Sequence, residues 1–398
     1  MQPEWLLPST VTLQPELPTP TFCVLPWIHL STTVDGVWGR CCFDATSDYD
    51  RYYHEPQAPD FRLDEDAIGC LRHSRYATAN PDRVMGVAEA FNSPALRRTR
   101  LQMLDGEAPR ACRSCFDQET LGVESHRNHV NRRFYAKTNF AALAEGTAPD
   151  GTSPEFPFYL DLRFGNICNL SCIMCSFPIS SRLGAGRAPS WSPAVINPYH
   201  DDAELWTELR EQCHNIRYIY FAGGEPFLQN DHFRLLRLLV EEDVAQHISL
   251  QYNTNLTIVP DEALTLLRQF GEVFVGASCD GTGELFETIR AGARWPDFVA
   301  NLRTVKQHFT VSLDVAVQRD NVHALGELIG FADSEGVAIR FENILQSPAE
   351  LSVRALPPAS KDLQHGSLVR LAAECERAGR AVLADQITRI DQYMMSDG

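Results

Sequence analysis

The sequence predicts an α/β chain, a partial (β/α)6, TIM-like barrel with a smaller N-terminal domain. Three observations predict it. From about Tyr159 onward, strand-like runs alternate with helical ones. The chemically unusual residues fall where those strands end. The preceding residues, 1–155, lack the alternation.

The elements follow in order. "FYLDLRFGN" alternates like a strand, and after a long irregular stretch "IRYIYFAGGEP" is a strand ending in glycines. "FRLLRLLVEEDV" has helical spacing, "HISLQYNTN" is a strand, and "DEALTLLRQF" is a helix with an acidic first turn. "EVFVGASCDG" is a strand ending in a turn, followed by the helix "WPDFVANLRTVKQH" and the strand "TVSLDVAVQRDN". "ALGELIGFADSEG" is a helix with a glycine stop, and "AIRFENIL" is the last strand. A single helix in "SLVRLAAECERAGRAVLADQI" makes the sixth unit. Repeated βα units imply parallel strands with right-handed crossovers, and chemistry at their C-terminal ends. The expected division is 1–155, 156–350 and a helical segment 351–398 that completes the barrel.

Upstream, "FCVLPWIHLSTTVDGVWGRCCF" reads as two short strands with a hairpin at Asp35-Gly36, and "SPALRRTRLQML" as a helix. Pro and Gly cluster between Glu145 and Pro157, the expected linker. "HRNHVNRRF", His126 to Phe134, is either a solvated helix face or a basic wall for an acidic substrate.

Bulk properties exclude several classes. The 398 residues carry a net charge of −17, which repels phosphate backbones, so no nucleic-acid partner is expected. No apolar run reaches the roughly 18 residues of a membrane span. The N-terminal stretch has two acids and no Lys or Arg, unlike a signal peptide, so a cytoplasmic address is expected. In that compartment the twelve cysteines suit metal ligation or buried thiols better than disulfides.

"CNLSCIMC" places Cys168, Cys172 and Cys175 on a loop after a strand. Mononuclear zinc wants four ligands, and an iron–sulfur cubane usually takes four thiolates. The next cysteine is Cys213. Three thiolates leave one iron open to a substrate or cosubstrate. The bland alternative is three buried thiols that happen to be close.

This CxxxCxxC, with the preceding "NICNL", resembles the radical S-adenosylmethionine (radical SAM) superfamily. "FAGGEP" resembles its GGE segment, "YNTNL" its Thr-Asn segment and "SCDG" its SxDG turn, all between Asp161 and Ile344. Met174 departs from the aromatic that many relatives carry before the last cysteine. The resemblance implies a [4Fe–4S] cluster on Cys168, Cys172 and Cys175. It implies that Gly223, Gly224, Glu225, Asn255, Ser278, Asp280 and Arg290 bind S-adenosylmethionine (SAM). Within that set, Glu225 would hold the amino group, Ser278 and Asp280 the ribose, and Arg290 the carboxylate. Each has a plainer reading: a glycine turn, a helix cap, an Asp-Gly turn, a surface ion pair.

"CVLPW…DGVWGRCC…CRSC" resembles the auxiliary-cluster modules called twitch and SPASM, here ahead of the barrel. That resemblance implies a second [4Fe–4S] cluster on Cys23, Cys41, Cys112 and Cys115, with Cys42 as the alternative to Cys41. A zinc site on the same residues is the other reading. Cys70, Cys213, Cys279 and Cys375 are expected to be buried or incidental thiols.

The function expected from the resemblance is reductive cleavage of SAM to a 5′-deoxyadenosyl radical that abstracts a substrate hydrogen. The electron would come from a flavodoxin or ferredoxin. Relatives with such modules suggest a ribosomally made peptide as substrate. The alternatives are oxidation or epimerisation of a sugar or aminocyclitol, or a non-catalytic iron–sulfur electron-transfer protein.

Overall fold

Six parallel strands carry the alternation that begins at Tyr159. In the computed structural model, which describes residues 15–44, 62–120, 124–184 and 195–396, they are β4 (Tyr159–Leu162), β5 (Tyr218–Phe221), β6 (Ser249–Thr254), β7 (Glu272–Ser278), β8 (Thr310–Val317) and β9 (Ala338–Ile344). Each pairs in parallel with the next in sequence, the order that βα units with one crossover hand produce. Helices Ala203–Gln212, Asn230–Glu241, Asp261–Leu267, Trp295–Val305 and Leu325–Glu335 fill the connections. The Leu325–Glu335 helix stops at Gly336, whose φ of 64° is the left-handed cap foreseen from the sequence.

The sheet does not stop at β4. Its full order is β3-β2-β1-β4-β5-β6-β7-β8-β9, where β1 is His29–Thr32, β2 Val37–Gly39 and β3 Gly69–Cys70. β1 runs parallel to β4, with His29 opposite Tyr159 and Ser31 opposite Asp161. The sheet therefore crosses residue 155. β1 and β2 form the expected hairpin: Gly36 has φ 75° and donates its N–H to Thr33 O at 3.0 Å.

Two expectations about elements are corrected. The stretch before the hairpin is not strand throughout, because Leu25–Ile28 is a helical turn started by Pro26. The C-terminal segment is not one helix but two, Pro358–Arg377 and Ala381–Met395, broken at Gly379 with φ 74°. The second reaches β9, where Phe341 N donates to Gln386 Oε1 at 3.0 Å. Pro94–Leu104 is helical as expected and is capped by Ser93.

Strand alternation sorts the sheet into two faces. Leu160, Leu162, Ile219, Phe221, Leu250, Val275, Leu313 and Val317 join the helices in the main apolar core. The other face carries polar side chains, among them Asp161, Tyr220, Gln251, Asn253 and Asp314. Its β4–β5 end is covered by the His126–Tyr135 helix, whose Phe134 ring lies 5.7 Å from Tyr159 and 5.5 Å from Tyr218. That helix is not simply a solvated face. Arg127 is buried and donates to Pro20 O and Phe22 O at 2.9 Å each, while also pairing with Glu119. Arg132 pairs with Glu124, and Arg133 lies over the Tyr159 ring at 5.8 Å. Among the described residues no helix is long and apolar enough to cross a membrane.

Candidate functional site

The loop after β4 carries Cys168, Cys172 and Cys175, and it is laced to other strand ends by backbone bonds. Ser171 N donates to Ala291 O at 2.8 Å and Ile173 N to Ile289 O at 3.0 Å. These two bonds straddle Arg290 and place it beside Cys172. On the other side the Gly223-Gly224-Glu225 turn ending β5 packs directly on the loop. Gly224 N donates to Gly165 O at 3.0 Å and Glu225 N to Ile167 O at 2.7 Å. The approach is so close that a Cβ on Gly224 would lie 2.2 Å from Ile167 O. Gly223 adds a φ of 115°, which side-chain-bearing residues avoid. Both glycines therefore have a steric reason that pure turn formation does not supply.

Glu225 is fully buried. Its Oε1 accepts from Thr254 Oγ1 at 2.7 Å and Phe227 N at 3.1 Å, and its Oε2 accepts from Asn255 N at 2.8 Å. Burial pushes its carboxyl up to about 7, against the pull of those donors. The carboxylate thus ties the end of β6 to the cysteine loop. Asn255 continues the tie, donating Nδ2 to Asn169 Oδ1 at 2.9 Å, with Cys168 Sγ 3.9 Å away.

At the end of β7, Ser278 lies opposite Asp314 of β8. Asp280 is buried, accepts from Ala316 N at 2.7 Å through Oδ1, and has Arg290 Nη2 2.6 Å from Oδ2. Burial holds its carboxyl above the usual range, and Arg290 opposes that. Among the described residues Arg290 Nε has no hydrogen-bond partner, although it is buried. The structure thus brings Cys168, Cys172, Cys175, Gly223, Gly224, Glu225, Asn255, Ser278, Asp280 and Arg290 to one end of the sheet, at the C-terminal ends of β4 to β7.

The donor set fits an iron–sulfur cluster in its chemistry. Burial pushes Cys168 up to about 11, and burial with Cys172 and Cys168 pushes Cys175 up to about 12. Thiols that raise one another ionise together only around a positive centre. Among the described residues no group of three or more His, Cys, Asp or Glu could hold one metal ion. A cubane asks for less convergence, because each thiolate meets a different iron.

The N-terminal cysteines also assemble. Cys23, Cys41 and Cys112 share one small apolar cluster, and burial, with a smaller push from neighbouring Cys115, raises the thiols of Cys23, Cys41, Cys42 and Cys112. Cys42 additionally faces Asp161 and Arg163 of the polar sheet face, and its Sγ lies 4.0 Å from His126 Nε2. Cys70, Cys213 and Cys375 are buried thiols elsewhere, and Cys279 is buried within the Ser278–Gly281 turn, its Sγ donating to Gly281 O at 3.3 Å.

Sequence reasoning assigned no role to Gln229, which donates to Gly165 O at 3.3 Å and Ile167 O at 3.1 Å. It also passed over Asn321, which clasps Asp280 O and Ala316 O at 3.0 Å each. Neither carries a local signal, because both work through backbone that only the fold brings near.

Comparison with known proteins places residues 162–332 on the family model described as the Radical SAM superfamily. Mycofactocin maturase MftC of Mycobacterium tuberculosis is 26% identical over 196 residues, 48% of this chain and 46% of that protein. The match thus spans about half the length of that curated relative. Among solved structures, Streptococcus suis SuiB bound to S-adenosylmethionine aligns at TM-score 0.36 with 17% identity, over 61% of this chain and 54% of that one. The methyltransferase TsrM from Kitasatospora setae aligns at TM-score 0.31 with 16% identity, over 44% of this chain and 34% of that one.

Proposed function

We propose, from the premise that residues 162–332 are a radical SAM domain, that the chain cleaves SAM reductively and modifies a ribosomally made peptide. The observation that carries the cleavage is the loop of Cys168, Cys172 and Cys175 meeting Glu225, Asn255, Asp280 and Arg290 at one end of the sheet. Cys168, Cys172 and Cys175 would hold a [4Fe–4S] cluster, which when bound would supply the single electron that reductive cleavage of SAM to methionine and a 5′-deoxyadenosyl radical needs.

The chain's own residues do the positioning. Gly223 and Gly224 allow the β5 end to touch the cysteine loop, which fixes the thiols relative to the SAM groups. Glu225 fixes the β6 end through two accepted hydrogen bonds, from Thr254 Oγ1 and Asn255 N, and its own turn through a third from Phe227 N. Arg290, beside Cys172 and paired with Asp280, supplies a buried cation for a carboxylate. The polar sheet face gives a substrate hydrogen-bonding walls out of bulk water.

The N-terminal cysteines would hold a second cluster through Cys23, Cys112, Cys115 and Cys41 or Cys42. There it would accept an electron or shape the pocket beside Asp161 and Arg163. A flavodoxin or ferredoxin would supply the reducing electron. The peptide reading is supported by the likeness to a protein named as a maturase.

The test is anaerobic reconstitution, with iron and sulfide counted per chain and 5′-deoxyadenosine assayed with dithionite and SAM. Iron for two cubanes and 5′-deoxyadenosine formation are expected. A fully loaded protein that makes none, with or without candidate peptides from neighbouring short reading frames, would return the chain to electron transfer. Turnover with sugars or aminocyclitols but no peptide would overturn the substrate class alone.

A further inference from the structure

Cys168, Cys172 and Cys175 share one loop, but their surroundings differ in charge. Cys168 Sγ accepts from Leu170 N at 3.5 Å and has Asn255 Nδ2 3.9 Å away, both neutral donors. Cys172 is set against a cation. Ser171 N donates to Ala291 O at 2.8 Å and Ile173 N to Ile289 O at 3.0 Å. The residues on either side of Cys172 are thus bonded to those on either side of Arg290. Backbone, rather than the reach of a long side chain, decides which thiol Arg290 adjoins.

Arg290 is buried, so its charge is poorly screened. Its Nη2 lies 2.6 Å from Asp280 Oδ2, and among the described residues its Nε has no hydrogen-bond partner. Asp280 is itself anchored, accepting from Ala316 N at 2.7 Å. Burial raises the Cys172 thiol, while Arg290 lowers it and Asp280 raises it. The guanidinium therefore bears on Cys172 together with a counter-ion that offsets part of its charge.

We propose that Arg290, acting through Cys172, raises the reduction potential of the [4Fe–4S] cluster, and that Asp280 limits the rise by offsetting its charge. The inference rests on the reading that Cys168, Cys172 and Cys175 hold that cluster. Reduction adds one negative charge to the cluster and its thiolates, and a buried cation beside one thiolate favours the reduced state. The electron comes from the external reductant, and no bond is made or broken at Arg290. This role is separate from holding SAM, because it is present before SAM binds.

The test is a potentiometric titration of anaerobically reconstituted protein, without SAM, followed by electron paramagnetic resonance. The signal missing from the Cys168/Cys172/Cys175→Ala variant reports this cluster. Arg290→Met is expected to lower its potential by about 59 mV or more, a tenfold loss in the one-electron reduction equilibrium. Asp280→Asn is expected to raise the potential, and it serves if the methionine variant does not fold. Shifts of opposite sign have no source in a merely structural role, which loosens the site in both variants. A potential unmoved in either variant, or moved in the same direction by both, would overturn the inference. Wild type that assembles no cluster on these thiols would instead overturn the reading on which it rests.

Discussion

Cys168, Cys172 and Cys175 come from one loop of eight residues, whereas Cys23, Cys41, Cys42, Cys112 and Cys115 come from three separated segments. The first group needs little chain closure, and its loop is set by backbone contacts with the ends of β5 and the Ile289–Ala291 segment. The second is held by buried polar clamps that act over long sequence distances. Arg127 ties Glu119 to the backbone on either side of Thr21. Asn131 accepts Val24 N at 2.9 Å and donates to Phe22 O at 2.9 Å. Arg40 joins Asp44, Thr99 and Asp66 O. One group therefore depends on close backbone fit and the other on side-chain cations, so the two should fail independently.

The largest effect expected is from changing Cys168, Cys172 and Cys175 together to Ala. Formation of 5′-deoxyadenosine should vanish and reconstituted iron should fall by half, with the N-terminal iron retained. Loss of all the iron would show that the two groups do not load separately.

Gly224→Ala comes next. The new Cβ would lie 2.2 Å from Ile167 O, a backbone atom that cannot yield without moving the cysteine loop. Displacements on the order of 1 Å can lower rates roughly a hundredfold, and a loss of 5′-deoxyadenosine formation of that order is expected. An alanine variant with undiminished rate would remove the glycine contact from the positioning argument.

Arg127→Met tests the other region. It leaves Glu119 without its cation and the Pro20 and Phe22 carbonyls without their donor. A destabilisation of about 3 kcal/mol is expected in denaturant titrations, in line with breaking a largely buried pair. The N-terminal iron should drop, while SAM cleavage by dithionite-reduced protein persists. Cleavage that falls in step with the iron would break the proposed independence.

The same contrast governs what could be read from sequence. Cys168, Cys172 and Cys175 were legible because their spacing is local, and β4 to β9 because hydrophobic alternation is local too. The GGE and SCDG segments were legible as motifs. That Glu225 would accept from Thr254 and Asn255 was not, since those partners belong to the neighbouring strand end. Arg127 and Arg133 looked like a charged helix face because charge suggests solvent, yet Arg133 packs over Phe134 and Tyr159, and Arg127 lies over Phe116 and donates to the Pro20 and Phe22 carbonyls. The break at Gly379 was hidden by helical spacing on both sides of it. The joining of β1 to β4 had no signal at all, because the pairing spans more than a hundred residues.

The smallest effect separates the two regions by pH. Asp35, in the hairpin that delivers Cys41 and Cys42, is fully buried and lies 3.1 Å from Arg75. Burial outweighs that cation and pushes the carboxyl from its ordinary 3.8 up to about 7. The folded chain then holds this proton more tightly than the unfolded chain does. The stability Asp35 contributes is therefore full below 3.8 and is lost as pH rises through about 7. Asp35→Asn removes the titration, so its penalty should be larger at about pH 5 than at about pH 7.5. Urea midpoints of wild type and variant at the two pH values measure the difference. A penalty that grows with pH would mean that the Arg75 ion pair, rather than burial, sets the state of Asp35, and the hairpin would then be clamped by charge in the same way as the Arg127 segment.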